Sequence, residues 1–210
     1  MWNSKPIIMV VSGPSGSGKS TVIKEFLQQT PAFGLSISHT TRKKREGEVE
    51  GKDYYYLSKE EFQRMIDNSD FVEWAKIYDN FYGTSRQEVQ RILESGLNVL
   101  LEINVDGLIS AKKIFDDLVS VFIIPESMEE LVRRLKERNT ENEEDLKKRI
   151  AEVKREISFI NFYDYVIINK KNNLSEAVAT ISHIFQAEKI KTRRFLNIKE
   201  SFFGGFEWQE

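Results

Sequence analysis

A glycine-rich segment directly after a short apolar run constrains this chain of 210 residues more than any other feature. Residues 13–20 read Gly-Pro-Ser-Gly-Ser-Gly-Lys-Ser and fit the pattern G-x-x-x-x-G-K-[ST], and residues 7–11 are Ile-Ile-Met-Val-Val. The glycines of this pattern let backbone N–H groups converge on phosphate oxygens at the start of a helix. A chance glycine-rich turn is the alternative, but the strand before and the helical periodicity after favour a phosphate-binding loop. We therefore expect a nucleoside triphosphate as a ligand.

Within this pattern the lysine reaches the β- and γ-phosphates, and the hydroxyl of the last residue binds Mg²⁺. Glu102 ends a buried apolar run, at the sheet edge where an acid can orient Lys19 and the hydrated Mg²⁺. Ser20 and Glu102 are therefore the expected metal-binding residues. The expected ATP-binding residues all lie in the loop or in the first turn after it: Gly13, Ser15, Gly16, Ser17, Gly18, Lys19, Ser20 and Thr21.

Composition excludes several other functions. The net charge is -2, so no overall positive field favours nucleic acid or acidic lipid. The chain has no cysteine and two distant histidines, His39 and His183, which excludes disulfides and argues against a zinc centre. No apolar stretch approaches the length of a membrane span. We expect a cytoplasmic protein with no nucleic-acid or membrane partner.

The hydrophobic pattern predicts an α/β fold. Near-continuous apolar runs at residues 7–11, 97–103, 118–124 and 165–168 are typical of buried parallel strands. A helix is expected at residues 19–29. Capping-box spacing begins further helices at Ser85 and Ser127, and Gly96 is a plausible residue after a helix end.

Two segments depart from this α/β rhythm. Residues 33–84 contain three expected strands, at 35–38, 53–57 and 71–77, and one helix capped by Ser58 with Glu61, which together predict a small inserted lobe. Residues 126–160 read as a charged helical hairpin with a turn at 138–142, which suggests a lid. The tail at 191–210 has no clear period, and whether its aromatic residues dock on the core is left open.

Six ordered motifs make this chain resemble the guanylate kinases over most of its length. They are Gly-Pro-Ser-Gly-x-Gly-Lys-Ser, Ser-x-Thr-Thr-Arg-x-x-Arg-x-Gly-Glu-x-x-Gly-x-Asp-Tyr, Glu73-Trp74-Ala75, Tyr82-Gly83-Thr84, Leu101-Glu102-Ile103 and Arg134-x-x-x-Arg138-x-Thr140-Glu141. The resemblance implies an α/β fold with a P-loop NTPase-type parallel sheet flanked by helices, an inserted mixed α/β lobe for GMP, and a helical lid. The corresponding divisions are residues 1–32, 85–125 and 161–190 for the core, 33–84 for the lobe, 126–160 for the lid and 191–210 for the tail.

The basic loop at residues 42–45, Arg-Lys-Lys-Arg, could in isolation be a solvated charge run or a nucleic-acid patch. Its context favours an anion clamp, because two arginines give planar bidentate donors and nearby hydroxyls add neutral donors. Tyr54 could equally be packing within an aromatic strand. The resemblance implies that five residues of the lobe hold the GMP phosphate: Ser38, Arg42, Arg45, Tyr54 and Tyr82.

The resemblance also implies a guanine pocket. Glu73 would accept hydrogen bonds from the N1–H and amino groups of guanine, and Thr84 would donate to its O6. A carboxylate in this place rejects adenine, which offers a lone pair at N1 and would leave the carboxylate unpaired. Asn104 stands where the family usually has a second carboxylate, and Asp106 where it usually has glutamine; this departure predicts weaker GMP affinity or relaxed base choice.

Arg134, Arg138 and Arg149 match the family's arginines that close over the transferring phosphoryl group. Arginines on a charged helix are, as a rule, solvated surface residues, so here the assignment depends on the resemblance. Together with Lys19 and Arg42 they form the predicted catalytic set.

The predicted reaction is Mg²⁺-dependent transfer of a phosphoryl group from ATP to GMP, and to dGMP, in purine nucleotide metabolism. No enzymic base is required, because a phosphate monoester with a pKa of about 6 already offers an anionic oxygen at neutral pH. Two alternatives remain at this point: a guanylate-kinase-like module that binds phosphorylated proteins, and a sister kinase with another phosphorylated acceptor. A monomer or a homodimer is expected.

Overall fold

A computed structural model of the protein describes residues 4–77, 79–138 and 143–204. The strands are β1 (Ile8–Ser12), β2 (Phe33–Leu35), β3 (His39–Thr40), β4 (Tyr55–Tyr56), β5 (Phe71–Ile77), β6 (Asn80–Ser85), β7 (Asn98–Glu102), β8 (Leu118–Pro125) and β9 (Tyr165–Asn169). The helices are α1 (Lys19–Gln29), α2 (Lys59–Asp67), α3 (Arg86–Glu94), α4 (Val105–Lys112), α5 (Met128–Arg138), α6 (Glu143–Ser158), α7 (Leu174–Lys189) and α8 (Ile198–Phe203).

The core is a five-stranded, wholly parallel sheet in the order β2-β7-β1-β8-β9. Central strand β1 pairs with β7 through Val10 and Leu101, and with β8 on its other side. Helices α1 and α7 cover one face of this sheet, and α3 and α4 cover the other. The predicted fold class is therefore confirmed, and the apolar runs of β1, β7 and β8 are continuous because these strands are buried on both faces. The run at 165–168 was wrongly expected to be buried, since β9 is an edge strand that leaves Val166 and Ile168 exposed.

A second, four-stranded sheet in the order β4-β3-β6-β5 forms the lobe expected between the core strands. It mixes parallel and antiparallel pairs. Helix α2 packs on it through Phe62, whose ring lies 4.4 Å from that of Phe71 and 5.4 Å from that of Phe81, measured between centroids. Its small core is thus made mainly of aromatic rings.

One expected strand of the lobe was wrongly placed. The sequence predicts a lobe strand at residues 35–38, whereas β2 pairs with β7 at the edge of the core sheet and β3 begins only at His39. The reason is a tertiary one: the ring of Phe33 lies 5.3 Å from that of Phe26 and 4.8 Å from that of Phe185, between α1 and α7. This packing draws the start of the expected lobe into the core.

The predicted helix caps form, but only one is reciprocal. Ser58 Oγ accepts from Glu61 N, and the Glu61 carboxylate accepts from Ser58 N. The hydroxyls of Ser85 and Ser127 also accept from the backbone N–H three residues later. The carboxylates of Glu88 and Glu130 do not complete a capping box, because each accepts hydrogen bonds from an arginine instead.

Helices α5 and α6 pack on each other through Leu131, Leu135 and Val153, as expected for the helical hairpin. Residues 139–142 of the expected turn lie outside the described part of the chain. The beginning of the tail does dock on the core: Arg194 is buried and forms ion pairs with Asp117 and Glu188. Phe206 and Trp208 lie outside the described residues.

Within the described residues, no helix has both the length and the apolar character needed to cross a membrane.

Candidate active site

The phosphate-binding loop connects β1 to α1 at the carboxyl edge of the core sheet. Gly18 is the N-cap residue of α1 and adopts a left-handed conformation with φ 82°; it has no side chain to cap the helix, and the Ser17 hydroxyl accepts from Lys19 N at 3.3 Å. At Gly13 a Cβ atom would lie 2.2 Å from the carbonyl oxygen of Ile123. The loop therefore brings backbone close to the sheet and leaves the positive end of α1 open to an anion.

Lys19, Ser20 and Glu102 meet beside this loop, as predicted. Lys19 Nζ lies 3.6 Å from Glu102 Oε1 and 3.3 Å from the carbonyl oxygen of Gly13, to which it donates a hydrogen bond. The Ser20 hydroxyl donates to the same Glu102 oxygen at 2.8 Å. One hydroxyl and one carboxylate suit Mg²⁺, which takes few protein ligands and fills its remaining positions with water and substrate phosphates. The donor set thus fits the predicted metal.

Three cavities follow one another along the carboxyl edge of the sheet. The middle one, the loop cavity, has a volume of about 290 Å³ and is lined by residues 13–20 and Glu156. The second cavity, of about 370 Å³, extends to the lobe and shares four lining residues with the loop cavity: Gly13, Lys19, Ser20 and Glu156. The third cavity, of about 470 Å³, lies on the other side of the loop and shares Gly18 with the loop cavity.

Arg134 joins helix α5 to the loop and borders the third cavity. Its Nη1 donates to the carbonyl oxygen of Ser17 at 3.2 Å, and its Nη2 donates to the carbonyl oxygen of Asn169 at 3.0 Å. Glu130, one turn earlier, accepts from Nε at 2.6 Å and so fixes the guanidinium in this place. Thr21, expected to contact ATP, lines the same cavity.

Arg42, Tyr54 and Tyr82 form a cluster on the lobe. The guanidinium carbon of Arg42 lies 5.4 Å from the ring centroid of Tyr54, and the rings of Tyr54 and Tyr82 are 6.0 Å apart. Hydrogen bonding to Glu48 raises the pKa of Arg42, and the Tyr82 hydroxyl adds a smaller contribution. Burial raises the pKa of Tyr54, so its hydroxyl stays protonated and available as a donor.

Ser38 and Tyr54 line the second cavity together with Lys19 and Glu102. The expected acceptor side and the phosphate-binding loop therefore face a common space. The side chain of Arg45 is exposed, and its backbone N–H is bonded to Glu48.

The predicted guanine-reading residues also come together. Glu73 on β5 accepts a hydrogen bond from the backbone N–H of Thr84 on β6 at 2.9 Å, and the Thr84 side chain is fully buried. Burial raises the pKa of the Glu73 carboxyl, although the bond from Thr84 opposes this shift. A Cβ atom on Gly107 would lie 3.3 Å from Glu73 Oε2, so this glycine leaves room for the carboxylate against α4.

Comparison with known proteins agrees with this arrangement. The sequence model of the guanylate kinase family matches residues 3–188. The chain belongs to the guanylate kinase family. It is 44% identical over 198 residues to the guanylate kinase of Caldanaerobacter subterraneus subsp. tengcongensis, which covers 92% of this chain and 95% of the relative. With the guanylate kinase of Clostridium tetani the identity is 44% over 197 residues, 94% of this chain and 92% of the relative.

A crystal structure of guanylate kinase from Anaplasma phagocytophilum has the same fold, with a TM-score of 0.79 at 36% identity over 100% of both chains. The predicted family and fold are therefore confirmed. Nothing in these matches favours the interaction module or the sister kinase.

The two departures from the guanylate kinase pattern have structural roles in this chain. The side-chain oxygen of Asn104 accepts from Gly107 N at 2.9 Å and caps α4. Asp106 accepts two hydrogen bonds from Arg155 Nη2 on α6, at 2.7 and 2.8 Å. Asn104 still lines the second cavity, whereas Asp106 joins α4 to α6.

The other two arginines expected in the lid, Arg138 and Arg149, have no described contact with the phosphate-binding loop. Arg149 is half-buried on α6. Arg138 is the last residue of α5, and its side chain lies outside what the structure describes.

Three site residues carried no role in the sequence analysis. Asn169 donates to the carbonyl oxygen of Ser17 at 2.8 Å, Glu156 lines two of the cavities, and Glu48 binds Arg42. Asn169 could have been found, because it is a polar residue ending a buried strand at the carboxyl edge of the sheet. Glu48 lies inside a motif of the family, but its partner could not be inferred from spacing alone.

Proposed function

We propose that the protein binds ATP along the phosphate-binding loop and the third cavity, and GMP in the second cavity beside the lobe. The activity itself, ATP-dependent phosphorylation of GMP, follows from membership of the guanylate kinase family.

The observation that carries the proposal is the shared wall between two cavities. Gly13, Lys19, Ser20 and Glu156 line both the loop cavity and the cavity that reaches Ser38 and Tyr54. A donor and an acceptor phosphate placed in these two cavities would meet at Lys19. Direct transfer between two bound nucleotides requires such an arrangement, because positioning supplies most of the catalysis in phosphoryl transfer.

Each group of side chains then has one task. Arg42, Arg45, Ser38, Tyr54 and Tyr82 hold the acceptor phosphate, and Glu73 with Thr84 and Asn104 reads the guanine. Lys19 and Arg134 hold the donor phosphates, with Arg138 and Arg149 approaching from the lid. The acceptor oxygen is already anionic at neutral pH, so no side chain has to remove a proton.

Ser20 and Glu102 would hold Mg²⁺. When bound, the metal supplies charge neutralisation between the donor phosphates. Lys19 stays next to Glu102 and keeps its ammonium group directed towards the loop.

We further propose that the lobe at residues 33–84 and the lid at 126–160 close over the core at 1–32, 85–125 and 161–190. Closure would exclude water, which otherwise competes as a phosphoryl acceptor. A cytoplasmic location agrees with the lack of cysteine.

A coupled assay of ADP release with GMP, dGMP, AMP, UMP and CMP tests the acceptor. We expect turnover with GMP and dGMP, and rates lower by about 100-fold or more with the others, since no other base offers Glu73 two adjacent N–H donors. Equal rates with AMP would contradict the proposed role of Glu73.

The substitution Lys19→Met tests the shared wall. We expect kcat/KM to fall about 100- to 1,000-fold while the melting temperature is unchanged, because a charge directed at the reacting phosphates is lost. Lys24→Met, an exposed lysine on the same helix, is the matched control and should leave activity intact. Near-normal activity of the Lys19 variant would refute the assignment.

A further inference from the structure

Glu48 is held by more hydrogen bonds than its exposed loop would suggest. Its carboxylate accepts from Arg42 Nη2 at 2.6 Å and from Arg42 Nη1 at 3.1 Å. It also accepts from the backbone N–H of Arg45 at 2.8 Å and from the Tyr56 hydroxyl at 2.7 Å. One carboxylate therefore joins both arginines of the basic loop to strand β4.

The backbone around Glu48 supports this arrangement. Glu48 N donates to the carbonyl oxygen of Arg45 at 3.2 Å, which closes the loop between the two residues. Next to it, Val49 N donates to Asp53 Oδ2 at 2.7 Å. The side chains of Arg42 and Glu48 are 14% and 19% exposed, so water competes only partly for this pair.

The planar guanidinium of Arg42 has two edges that can each grip an anion. Glu48 occupies the end formed by Nη1 and Nη2, and Nη1 also donates to the carbonyl oxygen of Lys43 at 2.8 Å. The remaining edge, made by Nε and the outer hydrogen of Nη2, is the one suited to a second anion. Because the group is rigid and planar, fixing the first edge sets the direction of the second.

A simpler interpretation is that Glu48 only fills the anion site until phosphate displaces it. Displacement would leave the Arg45 N–H and the Tyr56 hydroxyl without their acceptor. Hydrogen bonds from Arg42 and from the Arg45 backbone lower the pKa of Glu48 to about 2, so the carboxylate stays charged at any working pH. The bonds that fix Glu48 independently of Arg42 favour a permanent partner.

We propose that Glu48 is a positioning residue for the acceptor phosphate, which holds Arg42 by one edge of its guanidinium and directs the other edge towards the phosphate of GMP. This inference rests on the proposed function, in which Arg42 binds that phosphate.

The first test is Glu48→Gln, with Glu46→Gln as the matched control. Glu46 is an exposed carboxylate two residues earlier, so the control removes the same charge from the same loop. We expect the KM for GMP to rise about 10- to 100-fold in the Glu48 variant, since a misdirected guanidinium loses its alignment with the phosphate. The KM for ATP and the melting temperature should stay within experimental error of the wild type, and Glu46→Gln should change nothing.

Inhibition by guanosine separates positioning from a general disturbance of the lobe. Guanosine lacks the phosphate, so its inhibition constant should be the same in the wild type and in Glu48→Gln. If the variant weakens guanosine and GMP by the same factor, Glu48 merely supports the lobe and the inference is wrong.

A double-mutant cycle with Arg42→Gln separates the inference from the proposed function. If Glu48 acts through Arg42, the double variant should have the same KM for GMP as Arg42→Gln alone. Should Arg42→Gln leave that KM unchanged, the assigned role of Arg42 fails. Should Arg42→Gln raise it while Glu48→Gln does not, or should the two effects multiply, only the positioning role fails.

Discussion

At the scale of single residues, Glu73 is a partly buried carboxylate to which we assign the selection of guanine. The Glu73 carboxylate accepts a hydrogen bond from Thr84 N, and burial raises the pKa of this carboxyl. Two additional N–H donors from the Watson–Crick edge of guanine would compensate for that burial, whereas adenine would leave it uncompensated. Guanine binding and ionisation of Glu73 should therefore favour each other.

The affinity for GMP should consequently depend on pH through Glu73. Because the pKa of this acid is raised, the carboxylate that binds guanine is present above that pKa and is lost as the pH falls through it. We expect the KM for GMP to increase on acidification from pH 8 to pH 5. Since the GMP phosphate also titrates in this range, the comparison is with Glu73→Gln, in which only the phosphate contribution should remain. Identical pH profiles of the two proteins would show that Glu73 does not titrate in this range.

At the scale of elements, the junction between α7 and the tail is unusually polar for a buried site. Arg194 and Glu188 are each 1% exposed and lie 3.5 Å apart. Arg194 also binds Asp117 at 2.7 Å, and Tyr165 donates to Glu188 at 2.5 Å. These contacts fix the chain after residue 188, where the family match ends.

Removing Arg194 should therefore destabilise the fold. We expect Arg194→Leu to lower the free energy of unfolding by about 2 kcal/mol, because the buried carbonyl oxygen of Glu188 loses its donor and Asp117 loses one of its two arginines. Arg193→Leu is the control: this arginine pairs with the same Asp117 but is 60% exposed, so its loss should cost less than about 1 kcal/mol. Denaturant titration measures both, and equal losses would contradict the role given to burial.

Elements with a strong local signal could be predicted from the sequence. The bounds of α1 and β5 agree with the expected 19–29 and 71–77, because a fixed motif begins the helix and β-branched and aromatic residues mark the strand. Strand β2 could not be predicted in the core, because its three residues owe their place to rings on α1 and α7.

The candidate site divides in the same way. Lys19, Ser20 and Glu102 could be inferred because the loop motif and the strand end fix their positions. The bond between Glu48 and Arg42 and the contact between Asn169 and Ser17 depend on how loops fold back, which spacing does not reveal.

At the scale of the whole molecule, the lobe is linked to the core through two neighbouring chain segments and through the packing of β5 on α4. Residues His39 and Gly83 pair across β3 and β6, so the chain enters and leaves the lobe side by side. Glu88 on α3 accepts from Ile37 N at 3.1 Å and from the Tyr55 hydroxyl at 3.4 Å, and thereby joins the core helix to the entering segment and to β4. Rotation of the lobe as a unit would therefore pivot at the neighbouring segments and move β5 relative to α4.

Closure should be measurable in solution. We expect the radius of gyration from X-ray scattering to fall when GMP and a non-hydrolysable ATP analogue are both bound, because lobe and lid then approach the core. Replacing GMP by AMP should leave the larger value. An unchanged radius with both nucleotides bound, as verified by calorimetry, would contradict the closing motion.

The adjacency of His39 and Gly83 also bears on how such enzymes could diversify. A segment whose two ends lie next to each other can be replaced by another segment without changing the path of the remaining chain. Recombination at these two points would exchange most of the proposed acceptor pocket, whereas Ser38, Thr84 and Asn104 would stay with the ATP-binding core.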